Sequence, residues 1–330
     1  MQQQENRLVG ALEPCHLPED VEDKLDLAGC STELLLLHAS MESDRLAVVS
    51  DNGQRLSPWV RRLAAFAVAK VVQRLQLTDS ATFQGVALLD AWLAARAPET
   101  SDSSFIREMP AACVAAVRVL HKTGATKEAD VAMWHDAAAA IRAEMPGLRI
   151  DWFDLQPHDV RAQEFGLLRS LRWQVNVPSV ESWLSMFEGR FGVLMAGEFS
   201  RSVIWMREDL RQLAFTMMLW RPASNVHAPR RLAGGLFSIG LLRATLLPAE
   251  ALRPQHVCHD EWEELFLQSL MMNEVPACAL QPEYVQLVLG CLVATTNLPI
   301  EEIQRDCEFT MGCLRGARGD LNQMYACGAP

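Results

Sequence analysis

The densest group of potential metal ligands in this 330-residue chain is His256, Cys258, His259 and Asp260, in the run HVCHD. Imidazole, thiol and carboxylate are the donors of zinc sites, but such sites draw on spaced pairs of ligands. Here the donors are crowded together, and no second pair with suitable spacing lies nearby. A helix start is the better reading, with Asp260 as N-cap and Glu263 closing a capping box. Gly234-Gly235 could approach a phosphate but lacks the Walker lysine and falls inside a helical pattern, where close helix packing accounts for it. The patterns G-x-S-x-G and H-E-x-x-H are absent. Cys113 lies on an apolar helix and reads as a small core residue. No nucleophile, metal or phosphate signature remains. The chain is therefore read as noncatalytic, with no catalytic residue, metal or cofactor assigned.

Three other charges stand out because they sit on apolar helix faces. The helix beginning near Pro58 carries its polar face along Arg62, Lys70, Gln73 and Arg74, whereas Arg61 falls among Ala65 and Val68. Asp90 shares the stripe of Phe83, Val86 and Leu93 on the next helix. Glu164 precedes Leu167, Leu168 and Leu171 at core spacing. Breaking a buried ion pair costs roughly 3–5 kcal/mol, so each charge needs a partner or a groove. Arg61 with Asp90 is the simplest pairing and would clamp one helix to the next. Glu164 needs a base from elsewhere, and Lys122 at the end of the third helix is a candidate. The alternative is that the helix phases are shifted and all three are rim charges.

The elements that must position these groups are helical throughout, which makes the chain all-α. After an N-terminal extension with a possible helix over Glu33–Ser40, Ser50–Ser57 (SDNGQRLS) reads as a loop. Helices follow over about Pro58–Leu75, Thr78–Ala95 and Met109–His121, with Pro98–Ser104 as a polar loop between the last two. Gly124 ends the third helix. Further helical segments cover Lys127–Glu144 and His158–Trp173, and another starts near Val180. In the second half they cover Glu198–Leu219, Arg230–Leu246, Glu261–Met272, Glu283–Thr295 and Ile300–Arg315. Both halves share a rhythm of about five helices, with a joint near Gly189–Gly197.

Half the residues are apolar and 22% are charged, which supports packed cores. Net charge is −11, and the short pairs Arg61-Arg62 and Arg230-Arg231 do not form a basic stripe, so no nucleic-acid partner is expected. Nine scattered cysteines without a CxxC read as reduced thiols of an intracellular protein, nuclear or cytoplasmic. A polar N-terminus without a signal pattern and the lack of a long apolar run predict no membrane association.

Leu77 to Leu93 (LTDSATFQGVALLDAWL) resembles the second helix of the cyclin box, with Asp90, Trp92 and Leu93 in place and Ala91 where an arginine is usual. Read back without a gap, Arg61 falls on the arginine of the family's Met-Arg-Ala-Ile-Leu helix. Val114–Lys122 (VAAVRVLHK) is similar to the third helix, which ends in a lysine that Lys122 matches. Glu164–Pro178 (EFGLLRSLRWQVNVP) is similar to the fifth helix and its exit, with Glu164 on the family's glutamate. Ala228–Leu242 (APRRLAGGLFSIGLL) is similar, more loosely, to a helix of the C-terminal cyclin fold.

The resemblance implies two tandem cyclin-like five-helix domains: an extension over 1–44, an N-terminal cyclin box over 45–190 and a divergent C-terminal domain over 191–330. It implies a regulatory subunit that binds and activates a cyclin-dependent protein kinase. Lys122 and Glu164 would face the kinase, and Arg61 and Asp90 would form a structural ion pair. Docking of that kind favours the active kinase conformation and needs no active site of its own. The substrate-docking patch of many cyclins is replaced here by Val60, Leu63, Ala64 and Ala67, and Thr123-Gly124-Ala125 stands where acidic residues are usual. The main alternative is a tandem-cyclin binding scaffold without kinase activation, and a second is an all-helical enzyme, against which the lack of a nucleophile, metal or phosphate signature counts. A role in the cell cycle, transcription or nutrient signalling stays open.

Overall fold

A computed structural model describes residues 21–50, 58–94, 102–122, 131–144, 155–173, 175, 178–195, 200–220 and 228–326. The expected breaks at 51–57 and 123–130 and most of the segment 145–157 lie outside them. The described residues form thirteen α-helices and one short 3₁₀ turn, with no strand. None of these helices is long and apolar enough to cross a membrane.

The chain divides into two compact units that are not its two linear halves. The larger comprises Leu37–Trp183, Arg211–Ala233 and Gly312–Pro330, and the smaller Met1–Leu36, Leu184–Leu210 and Gly234–Met311. The expected division at 44 and 190 treats the chain as successive segments, whereas both units gather strands of sequence far apart.

In the larger unit, α3 (Pro58–Arg74), α4 (Asp79–Ala94), α6 (Val131–Glu144) and α7 (Pro157–Ser170) all pack on α5 (Asp102–Lys122). The reason is visible in α5 itself. Phe105, Met109, Ala111 to Val117 and Val119 are buried, so the middle turns of the helix are covered nearly all round. Its alanines let four neighbours approach closely. The helix begins seven residues earlier than the expected Met109, within the supposed polar loop, and carries Pro110 inside it. A proline there removes one backbone hydrogen bond, and burial of the surrounding apolar turns outweighs that loss. In α3, the stripe Val60, Leu63, Ala64, Ala67, Val68 and Val71 is buried. Gln76, at φ 55°, then reverses the chain, with Leu77 N–H donating to Val72 O at 3.2 Å.

The smaller unit contains the short α1 (Val21–Leu27), unseen in the sequence, which ends where Gly29 adopts φ 69° and Cys30 N–H donates to Leu25 O. α2 (Thr32–Ser50) is longer than the expected Glu33–Ser40. α8 (Val180–Leu194) supplies Phe187 and Phe191, which meet Phe237 of α10 (Pro229–Arg243) edge to face at 6.1 and 5.4 Å. Arg190 of α8 is only 1% exposed. It donates to Cys30 O at 2.6 Å, Thr32 Oγ1 at 3.0 Å and Ala294 O at 2.9 Å, tying the N-terminal segment to α12 (Pro282–Thr296). Gly235 of α10 lies against α13 (Ile300–Ala326) and is closely enclosed: a Cβ there would fall 2.2 Å from Thr310 Oγ1 and 2.5 Å from Asp306 O. Close helix packing is thus what the Gly-Gly step provides. α13 runs eleven residues past the expected Arg315. α9 (Ser200–Trp220) and α11 (His259–Leu270) complete the set.

Candidate functional site

Arg61 and Asp90 meet in the larger unit. Arg61 Nε donates to Asp90 Oδ1 at 2.9 Å and Nη2 to Oδ2 at 2.6 Å, a two-pronged fork. The third arm, Nη1, donates to the backbone oxygen of Met218 at 2.8 Å. The Arg61 side chain is 7% exposed and that of Asp90 29%. The phases of α3 and α4 set this contact: each residue takes the place of an apolar side chain on its stripe, with Arg61 buried and Asp90 at the partly exposed end of the pair.

Glu164 is buried on α7 beside Val160 and Leu167. Its carboxylate lies 3.1 Å from Arg118 Nε on α5. Arg118 stands one turn before Lys122, so the base expected from the end of the third helix comes from that helix, one turn earlier. Lys122 closes α5 by its backbone, and its side chain lies outside the described residues. Arg118 escaped the sequence reading although the signal was the same as for Arg61, a single arginine in an otherwise apolar run. The neighbouring contact, Gln163 Nε2 donating to Glu108 Oε2 at 3.3 Å, adds a second polar bridge between α7 and α5.

The HVCHD run does start a helix, but its cap is Cys258 rather than Asp260. Cys258 Sγ accepts from Glu261 N–H at 3.5 Å, and the Glu261 carboxylate accepts from Cys258 N–H at 3.4 Å. The box closes two residues before the expected Glu263. Thiols are weak acceptors, which is why a cysteine cap was not the natural choice. The remaining donors turn to different partners: His256 Nε2 lies 3.2 Å from Glu308 Oε2, while His259 contacts Glu250 and Glu263. Among the described residues no cluster of ligands could hold a metal ion.

His259 has its pKa raised above the ordinary 6.5, chiefly by its hydrogen bond to Glu250. For Glu250, burial pushes the carboxyl up, but hydrogen bonds from Arg253 and His259 outweigh it and hold the value below the ordinary 4.5. A raised histidine contributes stability that is complete below its unfolded value and lost as pH rises through the folded one. A lowered glutamate contributes above its unfolded value and loses that as pH falls. The contact is therefore fully formed between about pH 4.5 and 6.5. An NMR titration should find the His259 imidazole midpoint above 6.5, and Glu250→Gln should return it toward that value. An unchanged midpoint in the variant would remove Glu250 as the cause. Burial alone pushes the Cys113 thiol well above its ordinary range, which suits a core residue and not a nucleophile.

No protein-family model and no curated protein matches this chain.

Proposed function

We propose that the chain is a cyclin-like regulatory subunit that binds and activates a cyclin-dependent protein kinase, without an active site of its own. The observation that carries this reading is the Arg61–Asp90 fork between α3 and α4, at the positions where the cyclin box has its buried ion pair. The packing of α3, α4, α6 and α7 on α5 supports it, since the resemblance implies a five-helix domain. The smaller unit and the outlying segments of the larger one would correspond to the divergent second cyclin-like fold and the extension. On this reading Lys122 and Glu164, at the end of α5 and on the packed α7, meet the kinase. Arg118 holds the glutamate in place beforehand, which lowers the ordering cost of docking.

One observation favours the second reading, a tandem-cyclin scaffold that activates no kinase. Glu164 is already engaged by Arg118 and is only 9% exposed, so a kinase group would have to share it. An affinity pull-down from native lysate, read by mass spectrometry, separates the two. Wild type should retain a protein kinase, and the Lys122→Ala/Glu164→Gln double variant should retain about tenfold less, in line with a loss of ~1.4 kcal/mol or more. Glutamine is chosen because it can still accept from Arg118. Recovery of no kinase, where a control cyclin keeps its own, would replace the first reading with the scaffold.

A further inference from the structure

The outer face of α7 carries charge opposite to that of the protein as a whole. Arg161, Phe165 and Arg169 follow one another at single-turn intervals and are all exposed. Beyond the helix, Arg172 and Trp173 adopt φ 50° and 65°. Trp173 N–H donates to Leu168 O at 2.8 Å, and this reversal folds the indole back onto the helix. Its ring stands edge to face with Phe165, centroids 6.4 Å apart. Phe165 remains 57% exposed and Trp173 64%.

None of Arg161, Arg169 and Arg172 has an acidic partner among the described residues. The two carboxylates of α7 itself are committed elsewhere: Glu164 to Arg118, and Asp159 to the helix start, where it accepts from Gln156 N–H at 3.1 Å and faces His158. In a chain of net charge −11, three exposed arginines without an acidic partner among the described residues, close in sequence to two exposed aromatic rings, leave both positive charge and apolar area unsatisfied there.

We propose that this face docks an acidic peptide segment of a protein partner, with carboxylates meeting Arg161, Arg169 and Arg172 and a large apolar side chain packing on Phe165 and Trp173. Arginine and exposed aromatics are the residues that dominate such contacts, the one through forked hydrogen bonds to carboxylates, the other through buried area. Arg161 and Arg169 are about 12 Å apart along the helix axis, a span that about four extended residues cover. A nucleic acid is the lesser fit. The acidic remainder of the protein repels a long polyanion, whereas a short peptide meets only the local positive field. The proposal stands apart from the kinase-regulatory reading and needs neither Lys122 nor the buried Glu164.

Fluorescence anisotropy with a labelled Gly-Ser-flanked peptide, Glu-Glu-Leu-Phe-Glu-Asp, tests it without any kinase, so the outcome is independent of the pull-down. The acidic peptide should bind at least about tenfold more tightly than its Gln/Asn counterpart, and more weakly as salt rises. Arg161→Glu/Arg169→Glu should weaken it by about tenfold or more, and Phe165→Ala by about fivefold. All three positions are exposed, so the variants should keep the wild-type melt. The charge-reversed variant should instead bind a peptide with lysines in place of its acids. Equal binding of the acidic and amide peptides, or indifference to both variants, would overturn the proposal. Tighter binding of oligothymidylate than of the acidic peptide would replace it with a nucleic-acid surface.

Discussion

Arg61→Ala is expected to lower the stability of the larger unit by about 3 kcal/mol, the lower end of the cost of breaking a buried ion pair. The substitution removes two hydrogen bonds to Asp90 and one to Met218 O together. The carboxylate left behind sits on an apolar stripe, but its side chain is 29% exposed, so water recovers part of the loss. Two further variants separate charge from packing. Arg61→Lys keeps the charge but cannot span both carboxylate oxygens and the carbonyl, and should lose a substantial part of the stability. The double variant Arg61→Ala/Asp90→Ala should cost less than the sum of its parts, because no lone charge remains. Thermal melts decide the matter. A melt of Arg61→Ala unchanged within error would show that the fork contributes nothing.

The second large effect concerns a single methyl group. Gly235→Ala would place Cβ 2.2 Å from Thr310 Oγ1, 2.5 Å from Asp306 O and 2.9 Å from Asp306 C. Overpacking of this kind costs typically ~1–3 kcal/mol, and backbone atoms among the obstacles put this case at the upper end, near 3 kcal/mol. Its neighbour is the control. At Gly234 the nearest atom to a new Cβ is Leu298 Cδ1 at 3.9 Å, ordinary contact. Gly234→Ala should therefore be neutral or slightly stabilising, since alanine is the better helix former by up to about 1 kcal/mol. Adding Thr310→Ala to Gly235→Ala should restore only part of the loss, because the Asp306 carbonyl stays where it is. Denaturant melts that rank the two glycines equally would contradict the close approach of α10 to α13.

What was legible in the sequence follows the range of the forces involved. Helix phase is local, so the all-helical character, the apolar stripe of α3 and the anomalous places of Arg61, Asp90 and Glu164 could be read from spacing alone. Ends of helices were less legible where the usual signals misled. Pro110 looks like a start, yet it lies inside α5, because tertiary burial of that helix exceeds the cost of one missing hydrogen bond. Cys258 is an unlikely cap by type and is the cap nonetheless. α1 is seven residues long, too short for periodicity to declare itself. The partner of Glu164 was only half legible: Arg118 is marked by its place in an apolar run, but choosing it over Lys122 required knowing which turn of α5 faces α7. The exposed face around Phe165 was hidden for a different reason, since Trp173 joins it only through two left-handed residues past the helix end.

The interleaved division of the chain has a consequence for synthesis. The smaller unit draws on Gly234–Met311, and the larger one, on both sides of that stretch, on Arg211–Ala233 and Gly312–Pro330. Neither can close its core while the chain is still short, although α3 to α7 can already gather around one another. Partly built intermediates therefore keep apolar surface uncovered until these later stretches have been made, the period in which a nascent chain is most exposed to aggregation and most dependent on chaperones.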